Sequence, residues 1–322
     1  MPYFSWRKEK GKNQTFIAEF ILLGFGNVPE MQILLFLLFL VIYTVTVAGN
    51  TLIVVLVVAD QHLHTPMYFF LGNLSCLETC YTSSILPKML SNFWSEDKTI
   101  SVNGCFVQLY FFGSLVATEC YLLAAMSYDR YLAICKPLHY ATIMKDRVCL
   151  QLAAVSWIIA FVADSLLVCL ISQLTFCGPK EIDHFFCDFT PMIKLSCNDT
   201  NLVVLLSFIL CSIDMLFPFL LTVTSYICII STILRIPSTT GRKKAFSTCS
   251  SHLIMVTIFY GTLIIVYMLP DMAALQHLNK VYSIFCTALT PLINPLIYSL
   301  RNKEVMESLR KVIQTMRHTQ KF

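Results

Sequence analysis

Residues 31–59 read MQILLFLLFLVIYTVTVAGNTLIVVLVVA, with no Asp, Glu, Lys or Arg among them. About 20 mostly apolar residues are enough for an α-helix to cross the hydrocarbon core of a bilayer. This run is longer than that and has no polar face to turn toward water, so it is read as a membrane span. Residues 245–270 and 281–300 are equally free of these four residue types. Four further apolar stretches each carry an acidic interruption: Pro66–Leu90 with Glu78, Val102–Ile134 with Glu119, Val148–Leu170 with Asp164, and Leu202–Leu234 with Asp214. Together they predict seven spans.

Composition agrees with that count. The 322-residue chain is 57% hydrophobic and only 13% charged. Soluble domains carry about a quarter charged residues, so this chain has too little polar surface to cover a water-soluble globule. Disorder is excluded on the same ground. No ten-residue alternation suggests a transmembrane barrel. The fold class expected is therefore an all-α membrane protein. It divides into an N-terminal segment (1–30), a seven-transmembrane helix bundle (31–300) and a tail (301–322).

Loop charge orients the bundle. Loops 59–65, 135–147 and 235–244 and the tail, with Arg130 at a span end, hold 14 of the 23 Lys and Arg residues. The positive-inside rule makes that side cytoplasmic and places the N-terminus outside. Arg7, Lys8, Lys10 and Lys12 oppose this, but the larger count outweighs them, as does a sequon at Asn13-Gln14-Thr15. No cleavable leader is expected; the first span serves as its own insertion signal.

Most of the 14 cysteines lie inside spans, where Cys acts as a small apolar residue. Cys105, Cys177, Cys187 and Cys197 do not. They fall on the oxidising side, where disulfides are expected, and spacing alone does not choose among three pairings. His184, Cys187 and Asp188 also have metal-ligand chemistry, but a disulfide would consume Cys187.

Several motifs then line up: Gly49-Asn50 in span one, Leu63-His64-Thr65-Pro66-Met67-Tyr68-Phe69-Phe70-Leu71 entering span two, and Met126-Ser127-Tyr128-Asp129-Arg130-Tyr131-Leu132-Ala133-Ile134-Cys135 closing span three. Lys244-Ala245-Phe246-Ser247-Thr248-Cys249-Ser250-Ser251-His252-Leu253 opens span six, and Pro291-Leu292-Ile293-Asn294-Pro295-Leu296-Ile297-Tyr298 ends span seven. The chain resembles the rhodopsin-like G-protein-coupled receptors and, within them, the vertebrate olfactory receptors. The Asp-Arg-Tyr and Asn-Pro-x-x-Tyr pieces point only to the larger group; the span-two entry, the long span-three ending and the Ser-Thr-Cys-Ser-Ser-His segment are much more specific.

The resemblance implies a set of roles. Cys105 pairs with Cys187, and Cys177 with Cys197. Asp129, Arg130 and Tyr131 form a latch. Arg130 rests on Asp129 and swings toward Tyr226 and Tyr298 when helix six moves, with Asn294 and Pro295 as part of the switch. Glu78 and Glu119 lie side by side near Asn50 and Asn294, and hold either a sodium ion or a shared proton; no other cofactor is implied. The ligand cavity lies among spans three, five, six and seven. Its lining is Phe112, Gly113, Val116 and Ala117 on span three, Leu210 and Asp214 on span five, and Tyr260, Leu263, Ile264 and Tyr267 on span six. Each of these sets repeats at three- or four-residue spacing, which puts its members on one helix face. Gly113 and Ala117 are expected to leave room for ligand. Asp214 either meets a polar or amine-bearing ligand or faces a neighbouring helix. Phe112 stands where aminergic receptors carry their amine-binding Asp, which disfavours a biogenic-amine receptor.

The function implied is binding of small volatile odorants and activation of a stimulatory olfactory-type G protein, which raises cyclic AMP at the plasma membrane. A non-olfactory chemosensory receptor for a small metabolite is the nearer alternative. Other partners expected are membrane lipid and trafficking chaperones; no nucleic acid is expected. Val305, Met306, Leu309, Val312 and Ile313 share a face, which predicts a short amphipathic helix on the inner membrane surface. Pro218, Pro291 and Pro295 supply bendable points inside spans. An enzyme is disfavoured: the chain has no nucleophile elbow, P-loop or His-Glu-x-x-His. A transporter would show inverted repeats, and none is visible.

Overall fold

The computed structural model describes residues 17–25, 29–95, 97–177, 179–268, 279–301 and 303–319. A short strand, β1 (Glu19–Leu22), precedes α1 (Pro29–Ala59), α2 (Pro66–Trp94), strand β2 (Thr99–Ser101), α3 (Val102–Cys135), the short α4 (Pro137–Ile143) and α5 (Asp146–Ser172). Strand β3 (Glu181–Ile182) and the one-turn α6 (Phe189–Ile193) lie in the loop before α7 (Asn201–Leu234). Then come α8 (Thr239–Leu263), continued by a π-helical turn over Ile264–Met268, and α9 (Asn279–Ile284). A π-turn over Phe285–Leu289 joins α9 to α10 (Thr290–Arg301), and α11 (Lys303–Thr319) follows.

The seven expected spans are therefore seven long helical segments, the last made of α9, the π-turn and α10. Six of them are long and apolar enough to cross a membrane by composition. The exception, α2, is long enough at 29 residues but carries Glu78, Lys88 and several hydroxyls. Its position accounts for this. α2 packs against α1 on one side and α3 on the other, and Leu71, Leu74, Glu78, Tyr81 and Ile85 are fully inside. A helix walled by protein can spend residues on polar groups that a lipid-facing helix cannot. α1 and α7 show the opposite pattern, with Ile33, Leu34, Val41, Leu202, Phe208 and Leu220 projecting outward.

Local chemistry sets the ends. Pro66 and Pro137 stand at helix starts, where the missing N–H costs nothing. Ser101 caps α3 by accepting from the Gly104 N–H at 3.1 Å. Ser238 caps α8 by accepting from the Gly241 N–H at 3.2 Å. That cap starts the helix at Thr239, so the expected 235–244 loop shrinks to a few residues, and Arg242 and Lys243 belong to the first turns of α8. Pro218 and Pro295 sit inside helices as expected, and so does Pro87. Pro291 is different. It is the second residue of α10, directly after the π-turn, a helix start where proline is tolerated.

At the disulfide-bearing end the chain forms a small sheet that the apolar pattern does not announce. β1 pairs antiparallel with β2 (Phe20 opposite Ile100) and parallel with β3 (Leu22 opposite Ile182). Phe20 and Leu22 point into a cluster with Leu109, Ile171, Ile182 and Met192. On α11, Val305 is buried and Leu309 packs on the bundle, while Arg310 and Lys311 are exposed. The side chains of Val312, Ile313 and Tyr298, and all of Asn13, lie outside the described residues.

Candidate functional site

The loop between α5 and α7 is bound down at three points. Cys187 is bonded to Cys105 at the start of α3, and Cys177 to Cys197 within the loop. The third point is Gln108, which is 7% exposed. Its Oε1 accepts from the Cys187 N–H at 2.9 Å, while its Nε2 donates to the Ser84 carbonyl of α2 at 2.9 Å. Gln108 has no motif around it and is visible as a clamp only in three dimensions.

Beneath this loop the aromatic side chains converge. Phe186 lies 4.8 Å from Phe112, and Phe112 stacks on Tyr81 at 5.4 Å. The buried His184 ring lies against Phe185 at 4.6 Å and Phe186 at 4.5 Å. Burial and the positive charge of Lys280 push its pKa down to about 3. Lys280 itself pairs with Asp183 and reaches the Gly24 carbonyl. Asp188 is buried too; despite accepting from the Phe189 N–H, it is raised by desolvation to about 6.

Six of the ten proposed lining residues belong to the apolar core of the bundle: Phe112, Tyr260 and Leu263 are buried in it, and Val116, Ile264 and Tyr267 pack against it. Tyr260 lies 4.9 Å from Phe219 and donates its hydroxyl proton to the Cys120 carbonyl at 3.3 Å. Ala117 and Leu210 are half-buried. Asp214 accepts from the Tyr121 hydroxyl at 2.9 Å, which ties α7 to α3. Gly113 departs from expectation. A Cβ built on it would come 2.6 Å from Asp164 Oδ1, so the room left by the missing side chain is taken by the α5 carboxylate. A cleft at this end of the bundle is lined by Leu22, Phe25, Met89, Asn92, Phe93 and Phe185 and by none of the ten.

At mid-bundle Glu78 and Glu119 are both inside and within electrostatic reach of each other. Neither Glu78 oxygen, nor Glu119 Oε1, nor either polar atom of the Asn294 amide closes a hydrogen bond of good geometry. Asn50 lies beside Glu78 and donates to the Pro291 carbonyl at 3.2 Å, leaving its Oδ1 free. Gly49, next in chain, lets α10 approach: a Cβ there would come 3.2 Å from Pro295 Cβ. These are hard oxygen donors of the kind that suit sodium, although among the described residues no three His, Cys, Asp or Glu side chains converge on one point.

At the opposite end Arg130 donates from Nε at 3.0 Å and Nη2 at 2.5 Å to Asp129 Oδ2. Tyr140 of α4 donates to the other oxygen, Oδ1, at 2.7 Å. The Tyr226 hydroxyl meets His252 Nδ1 at 2.6 Å across α7 and α8. Tyr131 is half-buried against Ile229, Ile233 and Cys249. Tyr68 donates to Glu304 at 2.7 Å and pins α11 to α2. The bonds of Tyr140 to Asp129 and of His252 to Tyr226 do not follow from the Asp-Arg-Tyr motif alone.

Comparison with known proteins places this geometry. The family model described as "Olfactory receptor" matches residues 39–316. "Olfactory receptor 6B1" of Homo sapiens is 52% identical over 301 residues, 94% of this chain and 96% of that protein. "Olfactory receptor 5AP2" of Mus musculus is 46% identical over 306 residues, covering 94% and 96%. Among solved structures, that of squid rhodopsin superposes with a TM-score of 0.65 at 15% identity, covering 90% of this chain and 87% of that one. That last likeness speaks for the fold.

Proposed function

The chain belongs to the olfactory receptor family, and from that premise we propose that a small volatile organic molecule binds beneath the Cys187 loop and shifts the latch at the other end. As a family member it is a multi-pass membrane receptor and not an enzyme. The observation that supports the finer reading is that Phe112 packs on Phe186 beneath the loop, while Val116, Tyr260, Leu263, Ile264 and Tyr267 belong to the same apolar core. An apolar site with a few hydroxyls suits such a ligand. Ligand that favours the conformer with α8 tilted outward draws the population toward it, by no more than its difference in affinity for the two states. Arg130 then leaves Asp129, and the exposed surface engages a stimulatory olfactory-type G protein. The disulfide end faces outward, with a glycan on Asn13, and the basic loops face the cytoplasm. Glu78 and Glu119 hold a sodium ion in the resting state.

The test is cyclic-AMP output from cells carrying the receptor, a trafficking helper and the olfactory G protein, screened against a broad odorant panel. A response lost in Arg130→Ala at equal surface level supports the reading. A response kept by that variant refutes the latch. Loss of mobility shift on deglycosylation in Asn13→Gln tests the orientation. Unchanged basal output on replacing sodium with choline, in wild type and Glu119→Gln alike, refutes the sodium site.

A further inference from the structure

The outer half of the bundle contains three carboxylates: buried Asp164 on α5, half-buried Asp214 on α7, and buried Asp188 in the loop. Asp164 is 8% exposed and Asp188 5%. Asp164 and Asp214 are within electrostatic reach of each other, and Cys211, one turn above Asp214 on α7, is within reach of all three. Two of the three have partial partners: Asp214 accepts from Tyr121, and Asp188 accepts from the Phe189 N–H. Asp164 Oδ2 has none. The Ser114 hydroxyl, fully buried on α3, lies beside Asp164 without closing a hydrogen bond of good geometry. The ion pairs found among the described residues use Arg130, Lys280 and Lys311, and none reaches these three groups.

Acidic side chains at membrane depth are costly, and they are found paired or serving a function. Here the expected partner, a Lys or Arg side chain, is missing among the described residues. The position narrows what replaces it. Asp164 presses on Gly113, itself one of the ten proposed lining residues, so its carboxylate reaches the α3 face read as ligand lining. That reach depends on Gly113, since any larger residue would push Asp164 aside.

We propose that the ligand of this receptor carries a protonated amine, held by a charge-assisted hydrogen bond to Asp164, with Asp214 and Asp188 deepening the negative potential around it. The inference rests on the ligand site proposed above and names its chemical class. The apolar cluster around Phe112 and Tyr260 would take the hydrocarbon part, and Ser114 accepts a second N–H. The arrangement differs from an amine site on span three, because the anion comes from α5 across a glycine gap.

The experiment uses matched pairs of an alkyl or arylalkyl amine and the alcohol of the same skeleton, in the cyclic-AMP assay. Wild type, Asp164→Asn and Asp214→Asn are compared at equal surface level. Loss of one charge-assisted hydrogen bond gives about a ten- to hundredfold change. Wild type should respond to at least one amine about tenfold or more below the concentration its alcohol needs. Asp164→Asn, which has nearly the same shape, should erase that preference, and Asp214→Asn should reduce it by less. If Asp164→Asn fails to reach the surface, Gly113→Ala displaces the same carboxylate and should erase the preference. Alcohols active and amines inactive would overturn the amine inference and leave the odorant reading standing. Equal responses to both members of each pair, or an amine preference kept in the Asp164 and Gly113 variants, would overturn it as well. Silence toward every compound at full surface expression would overturn both.

Discussion

Gln108→Leu removes the loop clamp while nearly preserving side-chain volume. The wild-type amide satisfies two protein groups, the Cys187 N–H and the Ser84 carbonyl, each at 2.9 Å. Cys187 is fully buried and Gln108 is 7% exposed, so water does not replace the bond to the Cys187 N–H without opening the loop. A buried group left without its partner costs about 1–3 kcal/mol, and the Cys187 N–H is that group; the half-buried Ser84 carbonyl lies within α2 and adds little. The Cys105–Cys187 bond holds the loop at that point, so the chain keeps its fold and the penalty stays local. At roughly 2 °C per kcal/mol for a chain of this size, the unfolding midpoint should fall by about 2–6 °C. Free Cys120, Cys149, Cys249 and Cys286 are buried and supply the readout: a thiol-reactive dye labels them as the bundle opens. Gln173→Leu, at an exposed position, serves as control. Midpoints that agree within about 1 °C between Gln108→Leu and wild type would refute the claim that this amide clamps the loop.

Four further outcomes follow from the same structure. Tyr140→Phe removes the bond to Asp129 Oδ1 and should raise basal cyclic AMP per surface receptor about fivefold, the value of roughly 1 kcal/mol; an unchanged basal level rules out a restraining role. His252→Phe removes the Tyr226–Nδ1 bond and loosens α8 from α7, so basal output should also rise, read in the same assay. Cys187→Ser should reduce surface receptor more than Cys197→Ser, because the bonds close separations of 82 and 20 residues, about 4.5 against 3.3 kcal/mol in the loop-entropy account; antibody staining of intact cells decides it. Stability should depend on pH in two opposed ways, measured as thermal midpoints from pH 7 to 4. His184, pushed down to about 3, loses stability as pH falls below the ordinary 6.5, because only the unfolded chain takes up the proton. Asp188, raised to about 6, gains as pH falls from there toward the ordinary carboxylate value, because the folded state binds its proton first. His184→Phe should therefore flatten the acid decline and Asp188→Asn should steepen it.

The spans were legible because lipid leaves a simple mark: charges vanish over about 20 residues. Where protein surrounds a helix the mark fades, as along α2 with Glu78 and Lys88. The Asp129–Arg130 pair was legible from the motif, but the bonds Tyr140 makes to Asp129 and His252 makes to Tyr226 were not, since each joins two helices. Gly113 shows the limit most clearly. Its periodicity matched a cavity wall, and a missing side chain reads the same whether the space holds ligand or the Asp164 carboxylate. The start of α8 was legible in principle from Ser238, a good N-cap three residues before Gly241.

The small sheet has a consequence for biosynthesis. Its central strand, Glu19–Leu22, is translated first, yet its parallel neighbour Glu181–Ile182 emerges only after four spans have been made. At about 5–20 residues per second that interval lasts roughly 10–30 s. During it, β2 and Leu109 offer Phe20 and Leu22 only part of their burial site, because Ile182 and Met192 do not yet exist. The ribosome's first ordered product thus waits as partly exposed apolar chain, a ready target for quality-control machinery until the second half of the receptor arrives to cover it.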